Sequence, residues 1–328
     1  MSKGDAQMFL YLNEYGYKAS KNKDFLVVEH PNRENEEYPL NSLHAVYFAG
    51  EGRISKAIVL ELTRRNIDVL LLSDRGKPMI YLFPTHTKPK IWDLWKRQIL
   101  LDPRKNALLA RRFVLNAIKA KAWLLTELMR NRKRTNKEIT MKIVRYRNRI
   151  RGIERKVKAI SITNFKKLRK VLMGWEGFSA KLYFEALSYV IPPKFGYVGI
   201  RTRRPPKDAF NAAISFGYSY LKYIVERDLI FFGVNPYYGI LHQETDKVYP
   251  FLTFDVMEGF RHSFVDRTAI SLISRRKLNP EKHFRKFNGS VHLNKFGQSI
   301  LYKSLFEGKI KNSRLISKEI KFLLGVMK

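Results

Sequence analysis

The chain has 328 residues, no cysteine and a formal net charge of +34. The lack of cysteine excludes disulfides, thiolate nucleophiles and cysteine zinc sites, and no apolar run approaches the roughly 18 residues of a membrane span. Residues 1–87 hold 11 basic and 11 acidic residues, whereas residues 88–328 hold the remaining 52 and 18. The excess positive charge of residues 88–328 favours a polyanion as the binding partner, and such binding would be sensitive to salt. The alternatives are a ribosomal protein, an acidic membrane surface or the composition of a thermophile.

The neutral first part is predicted to be rich in β-strands, because short apolar runs alternate with turn residues. One helix is predicted after Ser55, which can cap its first turn. The start of the chain carries charges and no small-residue cleavage site, so we expect no secretory signal and a cytoplasmic protein. The predicted strands are 9–12, 25–29, 45–49, 67–73 and 79–83.

A change of composition near Pro84 to Pro89 predicts a linker, after which apolar residues recur at helical spacing. The sequence therefore predicts an α+β protein of two domains. Residues 1–87 form the small β-sheet domain, and residues 88–328 form a larger, all-helical, strongly basic domain.

The clearest periodicity runs from Ile139 to Ile160, where apolar residues recur in alternating steps of four and three. This pattern predicts an amphipathic helix. Residues 130–170 contain 17 basic and 2 acidic residues. The basic side of the helix either follows a nucleic-acid backbone or is a solvated face of a packed helix, and the pattern leaves both open.

No GxGxxG or GxxxxGK[ST] motif is present, so common nucleotide-binding loops are excluded. Acidic and imidazole groups among the basic residues are the remaining candidates. Glu176 is expected at a helix start near a positive dipole end, although acidic residues are routine there. His242 ends the segment GVNPYYGILH, whose Asn-Pro and Gly239 predict a turn that delivers the imidazole.

Asp255 and Glu258 stand three residues apart, a spacing that places both carboxylates on one face of a helix. Adjacent carboxylates repel, so either a divalent metal or an arginine such as Arg261 or Arg267 is expected to neutralise them. His262 follows Glu258 by four residues and shares that face. Spacing alone does not decide between His242 and His262 as the imidazole partner.

Four motifs occur in order: EGFSAKLYF, RTRRPPKDAFNAAISFGY, GVNPYYGILH and FDVMEGFRHSFVD. Because these four motifs occur in this order, the chain resembles the CRISPR-associated spacer-acquisition integrase, the first of the Cas proteins. The resemblance covers essentially the whole chain, because LYLNEYGYKA and GRISKAIVLEL resemble motifs of the family's N-terminal β domain. It implies a β domain joined to a helical catalytic domain.

The resemblance also implies a Mg²⁺ or Mn²⁺ ion held by Glu176, His242 and Glu258. Asp255 matches the first acidic position of the family's D-x-x-[DE] motif and is a supporting or alternative ligand. His262 stands where relatives commonly have proline, and Ala209 likewise replaces a common proline. The resemblance therefore does not support His262 as a ligand.

The implied activity is that of a metal-dependent DNA endonuclease and integrase, which inserts captured fragments as spacers when a DNA 3′ hydroxyl attacks a phosphodiester. Double-stranded and branched DNA are the implied substrates. The implied assembly is a homodimer paired through its β domains, with two such dimers bridged by a dimer of the small ferredoxin-like second Cas protein. The expected DNA-binding residues are Arg261, Arg201, Arg203, Arg204 and Lys194.

Two other functions remain compatible with the sequence. A transposon-encoded integrase of the same fold would use the same metal site on transposon ends. A non-catalytic nucleic-acid-binding protein would pair its carboxylates with arginine and need no metal.

Overall fold

The computed structural model describes residues 8–65, 67–72, 78–82, 91–130, 136–242 and 249–328. The chain divides into two compact units, Met1–Pro89 and Lys90–Lys328. The linker predicted near Pro84 to Pro89, and with it the boundary after residue 87, lies outside the described residues.

In the described part of the first unit the strands are β1 Met8–Leu12, β2 Tyr17–Asn22, β3 Phe25–Glu29, β4 Glu36–Pro39, β5 Leu43–Phe48, β6 Gly52–Ile54, β7 Asp68–Leu72 and β8 Pro78–Leu82. They form two four-stranded sheets, with strand orders β1-β5-β7-β8 and β4-β3-β2-β6. In the first sheet β1, β5 and β7 are parallel and β8 is antiparallel to β7. In the second, β2, β3 and β4 are antiparallel and β6 runs parallel to β2.

The five predicted strands correspond to β1, β3, β5, β7 and β8. The sequence did not predict β2, β4 and β6, because their segments YKASKN, EEYP and GRI are too polar to stand out as apolar runs. Helix α1, Lys56–Arg64, begins where expected, since the Ser55 side chain accepts a hydrogen bond from Ile58 N at 3.3 Å. It buries Ile58 and Leu62 against the strands, one helical turn apart.

The second unit is mainly helical, as predicted. Its helices are α2 Ile91–Ile99, α3 Pro103–Arg130, α4 Lys137–Ala159, α5 Phe165–Leu187, α6 Ala209–Phe231, α7 Phe251–Met257, α8 Arg267–Ser274, α9 Pro280–His283 and α10 Lys295–Met327. A π-helical turn, Arg261–Asp266, joins α7 to α8.

Helices α3, α4 and α5 pack against one another. The stripe predicted on α4 is core, since Ile143, Ile150, Ile153 and Val157 are buried. Most of the basic residues of α4 are exposed, on the other sides of the helix. The apolar stripe thus fixes α4 to its neighbours and leaves its positive charge in solvent.

The second unit is not entirely helical, because β9, Phe284–Phe287, pairs with β10, Ser290–Leu293, as an antiparallel hairpin. The turn between them places Asn288 and Gly289 at φ of 44° and 65°. An Asn-Gly pair suits a two-residue hairpin because both residues tolerate positive φ. The Asn-Gly turn signal is present in the sequence FNGS, but it is only two residues long and the hairpin was not predicted from the sequence. Among the described residues no helix is both long and apolar enough to span a membrane.

Candidate active site

Glu176 lies in the middle of α5, and the expectation of a helix start is wrong. The helix begins eleven residues earlier at Phe165, where the Asn164 side chain caps it by accepting a hydrogen bond from Lys167 N. Gly174 and Gly177 resemble breakers in the sequence, but the helix continues through both. The helix dipole therefore does not act on Glu176, and its environment comes from neighbouring side chains.

The nearest of these is Lys121 of α3, whose Nζ lies 3.4 Å from Glu176 Oε1. Lys121 is 0% exposed. A lysine is almost never fully buried unless it is paired with an opposite charge, and here Glu176 is that partner. Burial on its own would raise the pKa of Glu176, but the charges of Lys121, Arg261 and His242 outweigh it and the pKa is lowered. Glu176 is therefore held as a carboxylate.

His242 is the last described residue of the segment 232–242 that follows α6, and Gln98 of α2 holds this segment by hydrogen bonds. Gln98 Nε2 donates hydrogen bonds to Asn235 O and Tyr238 O, and Gln98 Oε1 accepts one from Asn235 N. Gly239 is required here, because a methyl group at that position would lie 2.0 Å from the His242 carbonyl oxygen. The predicted turn thus delivers His242 through a tight backbone contact.

Asp255 of α7 is fully buried, and its carboxylate accepts hydrogen bonds from the segment that ends at His242. Its Oδ2 accepts hydrogen bonds from Ile240 N at 2.7 Å and Leu241 N at 2.9 Å. Its Oδ1 accepts from His242 N at 3.0 Å and lies 2.6 Å from His242 Nδ1. The carboxylate has used the accepting positions of both oxygens, so it orients His242 instead of facing open space.

Glu258 follows the last residue of α7 and is paired with Arg261, whose Nη1 lies 2.5 Å from Glu258 Oε1. The Arg261 guanidinium also lies 5.1 Å from the centre of the Tyr218 ring on α6. The sequence placed both acidic side chains on one face, but they have different partners: Asp255 holds the loop and Glu258 holds an arginine.

His242 lies within electrostatic reach of both Glu176 and Glu258. Burial on its own would lower the pKa of His242, but the hydrogen bond to Asp255 and the charges of Asp255, Glu258 and Glu176 outweigh it and raise the pKa. In the described part of the chain, no group of three or more such side chains is already arranged at metal-binding distances. The two carboxylates are instead neutralised by Lys121 and Arg261.

The chemistry of these side chains nevertheless fits a hard divalent cation. Two carboxylates and one imidazole are suitable ligands, and the hydrogen bond at His242 Nδ1 leaves Nε2 as the ligating atom. A carboxylate on the other ring nitrogen is the usual support of a metal-bound histidine.

His262 makes a different set of contacts, with Tyr183 and Asp266. Its ring packs 4.4 Å from the Tyr183 ring, and its Nδ1 lies 2.8 Å from Asp266 Oδ2. The hydroxyls of Tyr183 and Tyr218 also donate to Asp266. Burial lowers the pKa of His262, so it stays neutral inside this buried network.

We expect His262→Ala to lower the free energy of unfolding by about 2–4 kcal/mol, because a buried ring is removed and Asp266 loses a partner. The DNA cleavage that the resemblance implies, measured well below the unfolding midpoint, should stay within about twofold of the unmodified protein. Denaturant unfolding and a cleavage assay test both parts. A stable variant that has lost activity would return His262 to the list of ligands.

The expected DNA-binding side chains differ in availability. Arg201 donates through Nη1 to Asn211 Oδ1 and through Nη2 to Ser215 Oγ, so it is committed to α6. Arg203 and Arg204 are exposed in the loop before α6. Lys194 is exposed in a short 3₁₀ turn, Pro193–Phe195. The last three are free to meet phosphate, whereas Arg201 shapes the loop.

Sequence reasoning missed Lys121, although one signal was present. Lys121 interrupts the apolar stripe of α3 formed by Val114, Ala117, Ile118, Leu125 and Leu128. A charged residue at a core position needs a buried partner. In a chain with 63 basic residues, that single position did not stand out.

The family model described as CRISPR associated protein Cas1 matches residues 10–307. The chain therefore belongs to this family, and the resemblance inferred from its motifs is confirmed. It is 27% identical over 308 residues to CRISPR-associated endonuclease Cas1 1 of Archaeoglobus fulgidus, covering 92% of this chain and 88% of that protein.

Solved structures share the fold. A CAS1 protein of Thermotoga maritima matches with a TM-score of 0.73 and 22% identity over 97% of this chain and 96% of its own. A chain of a Cas6-RT-Cas1–Cas2 complex matches with a TM-score of 0.73 and 21% identity, over all of this chain and 35% of its own. A casposase bound to an integration product matches with a TM-score of 0.74 and 19% identity, over 97% and 90%. The predicted α+β class, a small sheet unit before a larger helical unit, is confirmed.

Proposed function

We propose that this chain is a divalent-metal-dependent DNA integrase and endonuclease that inserts captured DNA fragments as spacers at a CRISPR repeat array. The observation that supports the proposal is that Glu176 and Glu258 both act on the charge of His242, whose Nδ1 lies against the buried Asp255 carboxylate. Membership of the Cas1 family supports the reaction class. The protein is proposed to act in the cytoplasm.

In the proposed reaction a DNA 3′ hydroxyl attacks a phosphodiester, a new phosphodiester forms, and the bond to the leaving 3′ oxygen breaks. A Mg²⁺ or Mn²⁺ ion held by Glu176, His242 and Glu258 would polarise the phosphoryl group and stabilise the leaving oxygen. No side-chain nucleophile is needed, which is consistent with a chain that lacks cysteine.

The other side chains orient the proposed ligands or bind the DNA backbone. Asp255 keeps the proton of His242 on Nδ1 and so keeps Nε2 available. Arg261 lies beside Glu258 and can pair with a phosphate when that carboxylate turns to the ion. Exposed Arg203, Arg204 and Lys194 position the DNA backbone through charge, without reading its sequence.

The proposed assembly is a homodimer bound to a small second Cas protein with a ferredoxin-like fold. The likeness to a chain in a Cas6-RT-Cas1–Cas2 complex supports such a partner. The neutral first unit, with 11 basic and 11 acidic residues in 1–87, is better suited to protein contact than to DNA. A transposon-encoded integrase is the second candidate, because the casposase shares the fold.

We expect Glu176→Gln, His242→Gln and Glu258→Gln each to lower strand transfer at least about 100-fold, because losing even a residue that supports a ligand costs 10- to 100-fold. DNA affinity in EDTA should be kept, since phosphate binding depends on the cationic side chains. The assay follows joining of a labelled 3′-OH fragment, paired or branched, to a plasmid with a repeat array, with Mn²⁺, Mg²⁺ or EDTA.

Glu185→Gln, on the same helix, is the matched control and should transfer normally. Full activity in EDTA, or in Glu176→Gln, would contradict the metal site. Binding without any chemistry under every condition would favour the non-catalytic alternative. Transfer to transposon ends in preference to the repeat array would favour the second candidate.

A further inference from the structure

Helix α2 buries a glutamine where an amphipathic helix normally buries an apolar side chain. Of residues 92–99 in this helix, Gln98 alone is buried, and it is 0% exposed. The large apolar side chains of Trp92 and Ile99 are 75% and 50% exposed instead. A buried amide needs hydrogen-bond partners, because unpaired polar groups are costly inside a protein. The partners of Gln98 therefore matter more than its share of the apolar core.

The Gln98 amide is bonded through both its oxygen and its nitrogen to the backbone that precedes His242. Its Oε1 accepts a hydrogen bond from Asn235 N at 3.0 Å. Its Nε2 donates to Asn235 O at 2.8 Å and to Tyr238 O at 3.1 Å. Residues 232–242 belong to neither a helix nor a strand. The amide thus supplies hydrogen bonds that regular structure would otherwise supply to this backbone.

The same segment also caps α7, the helix that leads to Glu258. The residue before this helix is a proline, whose side chain makes no capping hydrogen bond, although the first N–H groups of a helix need acceptors. Pro236 O accepts from Leu252 N at 3.0 Å and from Thr253 N at 3.4 Å. Pro236 lies between the two residues that Gln98 holds, so the start of α7 depends on the position that Gln98 gives to this backbone.

The backbone between Tyr238 and His242 is tightly packed. A methyl group at Gly239 would lie 2.0 Å from the His242 carbonyl oxygen, so there is no free space in which the turn could adjust. The N–H groups of residues 240–242 are in turn bonded to the buried Asp255 carboxylate. A displacement of Tyr238 is therefore passed on to His242 and to its hydrogen bonds with Asp255.

We propose that Gln98 is a positioning residue for the metal site. It fixes the backbone of residues 235–238 and, through that backbone, sets the positions of two proposed ligands, His242 and Glu258. Gln98 is not itself a ligand, and its complete burial keeps it away from DNA. This inference rests on the proposed function for the metal, and it names a residue outside the ligand set that determines how tightly the metal is bound.

The test compares Gln98→Met with the unmodified full chain. Methionine fills a similar space but makes none of the three hydrogen bonds. Hydrogen exchange in EDTA should show the protection of the amides of residues 240–242 reduced about tenfold. Calorimetric titration should show Mn²⁺ affinity reduced at least about tenfold, as for other residues that orient a ligand. DNA affinity in EDTA should stay within about twofold, because the cationic side chains are unchanged.

Two further variants separate positioning from general destabilisation. Gln98→Asn keeps the amide but is one methylene shorter, so it cannot span the same three bonds and should show both losses; it carries the test if Gln98→Met does not fold. Ile143→Ala removes a fully buried side chain from α4 and is the matched control. It should lower the unfolding midpoint and, well below that midpoint, leave both the exchange of residues 240–242 and the Mn²⁺ affinity unchanged.

Unchanged Mn²⁺ affinity in the Gln98 variants would overturn the inference, whether or not the amides of residues 240–242 lost protection. Equal losses in Ile143→Ala would also overturn it, because the effect would then follow stability. If the unmodified protein bound no Mn²⁺, the proposed function would fail instead. The exchange of residues 240–242 in EDTA would still decide whether Gln98 holds the segment that ends at His242.

Discussion

Replacing Asp255 with asparagine is expected to lower the affinity for Mn²⁺ by about 10- to 100-fold, although Asp255 faces the loop and not open space. The carboxylate accepts four hydrogen bonds from Ile240 N, Leu241 N, His242 N and His242 Nδ1. An asparagine side chain has one accepting oxygen, so one pair of donors would face its NH₂ group. We expect the free energy of unfolding to fall by about 2–4 kcal/mol as well.

Calorimetric titration with Mn²⁺ and denaturant unfolding measure these two losses. Imidazole ¹⁵N shifts supply a signature that destabilisation alone does not produce. The Asp255 hydrogen bond and charge raise the pKa of His242, so Asp255→Asn should lower that pKa and release the proton from Nδ1. Ile150→Ala is the matched control, because removing a fully buried side chain from α4 costs a comparable 2–5 kcal/mol.

The control should bind Mn²⁺ normally below its unfolding midpoint. If Ile150→Ala lost as much metal affinity as Asp255→Asn, the effect would follow stability and not the orientation of His242. An unaltered His242 tautomer in Asp255→Asn would also contradict the role given to Asp255.

Lys121→Met is expected to destabilise the metal-free protein strongly and to make its stability depend on metal. Removing one partner of a buried ion pair costs about 3–5 kcal/mol, and the lower end applies because 20% of the Glu176 side chain is exposed. A divalent cation at Glu176 would replace the missing charge. The increase in unfolding free energy on adding Mn²⁺ should therefore be larger in this variant than in the unmodified protein.

Lys119→Met is the matched control, because Lys119 lies on the same helix but is exposed. Its stability and its response to Mn²⁺ should both stay close to those of the unmodified protein. Unfolding curves in EDTA and in Mn²⁺ are compared for the three proteins. An equal gain from Mn²⁺ in all of them would mean that Lys121 has no connection with the metal.

The parts of the fold that follow local rules were predictable from the sequence. The stripe of α4 and the Ser55 cap depend on residues a few positions apart. The position of Glu176 was not predictable, because Gly174 and Gly177 suggest a break that the tertiary packing of α5 overrides. The helix propensity of single residues predicts helix ends poorly when packing against neighbouring helices stabilises the helix.

The composition of the candidate site was predictable in part. Motif order indicated Glu176, His242, Asp255 and Glu258 but not how they are paired. The role of Asp255 depends on backbone N–H groups of residues 240–242, which have no sequence signature. The contact between Lys121 and Glu176 joins helices 55 residues apart in the chain. Such long-range contacts require the packed structure.

The proposed ligands come from α5, from the loop after α6 and from the end of α7, so they are far apart in an unfolded chain. Closing such long segments costs entropy before any ligand can cooperate with another. A cation therefore meets its site only after the helices have packed, unlike the metal of a zinc finger, which folds its own domain. Folding should proceed without metal, and metal should act afterwards as an ordinary ligand that stabilises the native state by mass action.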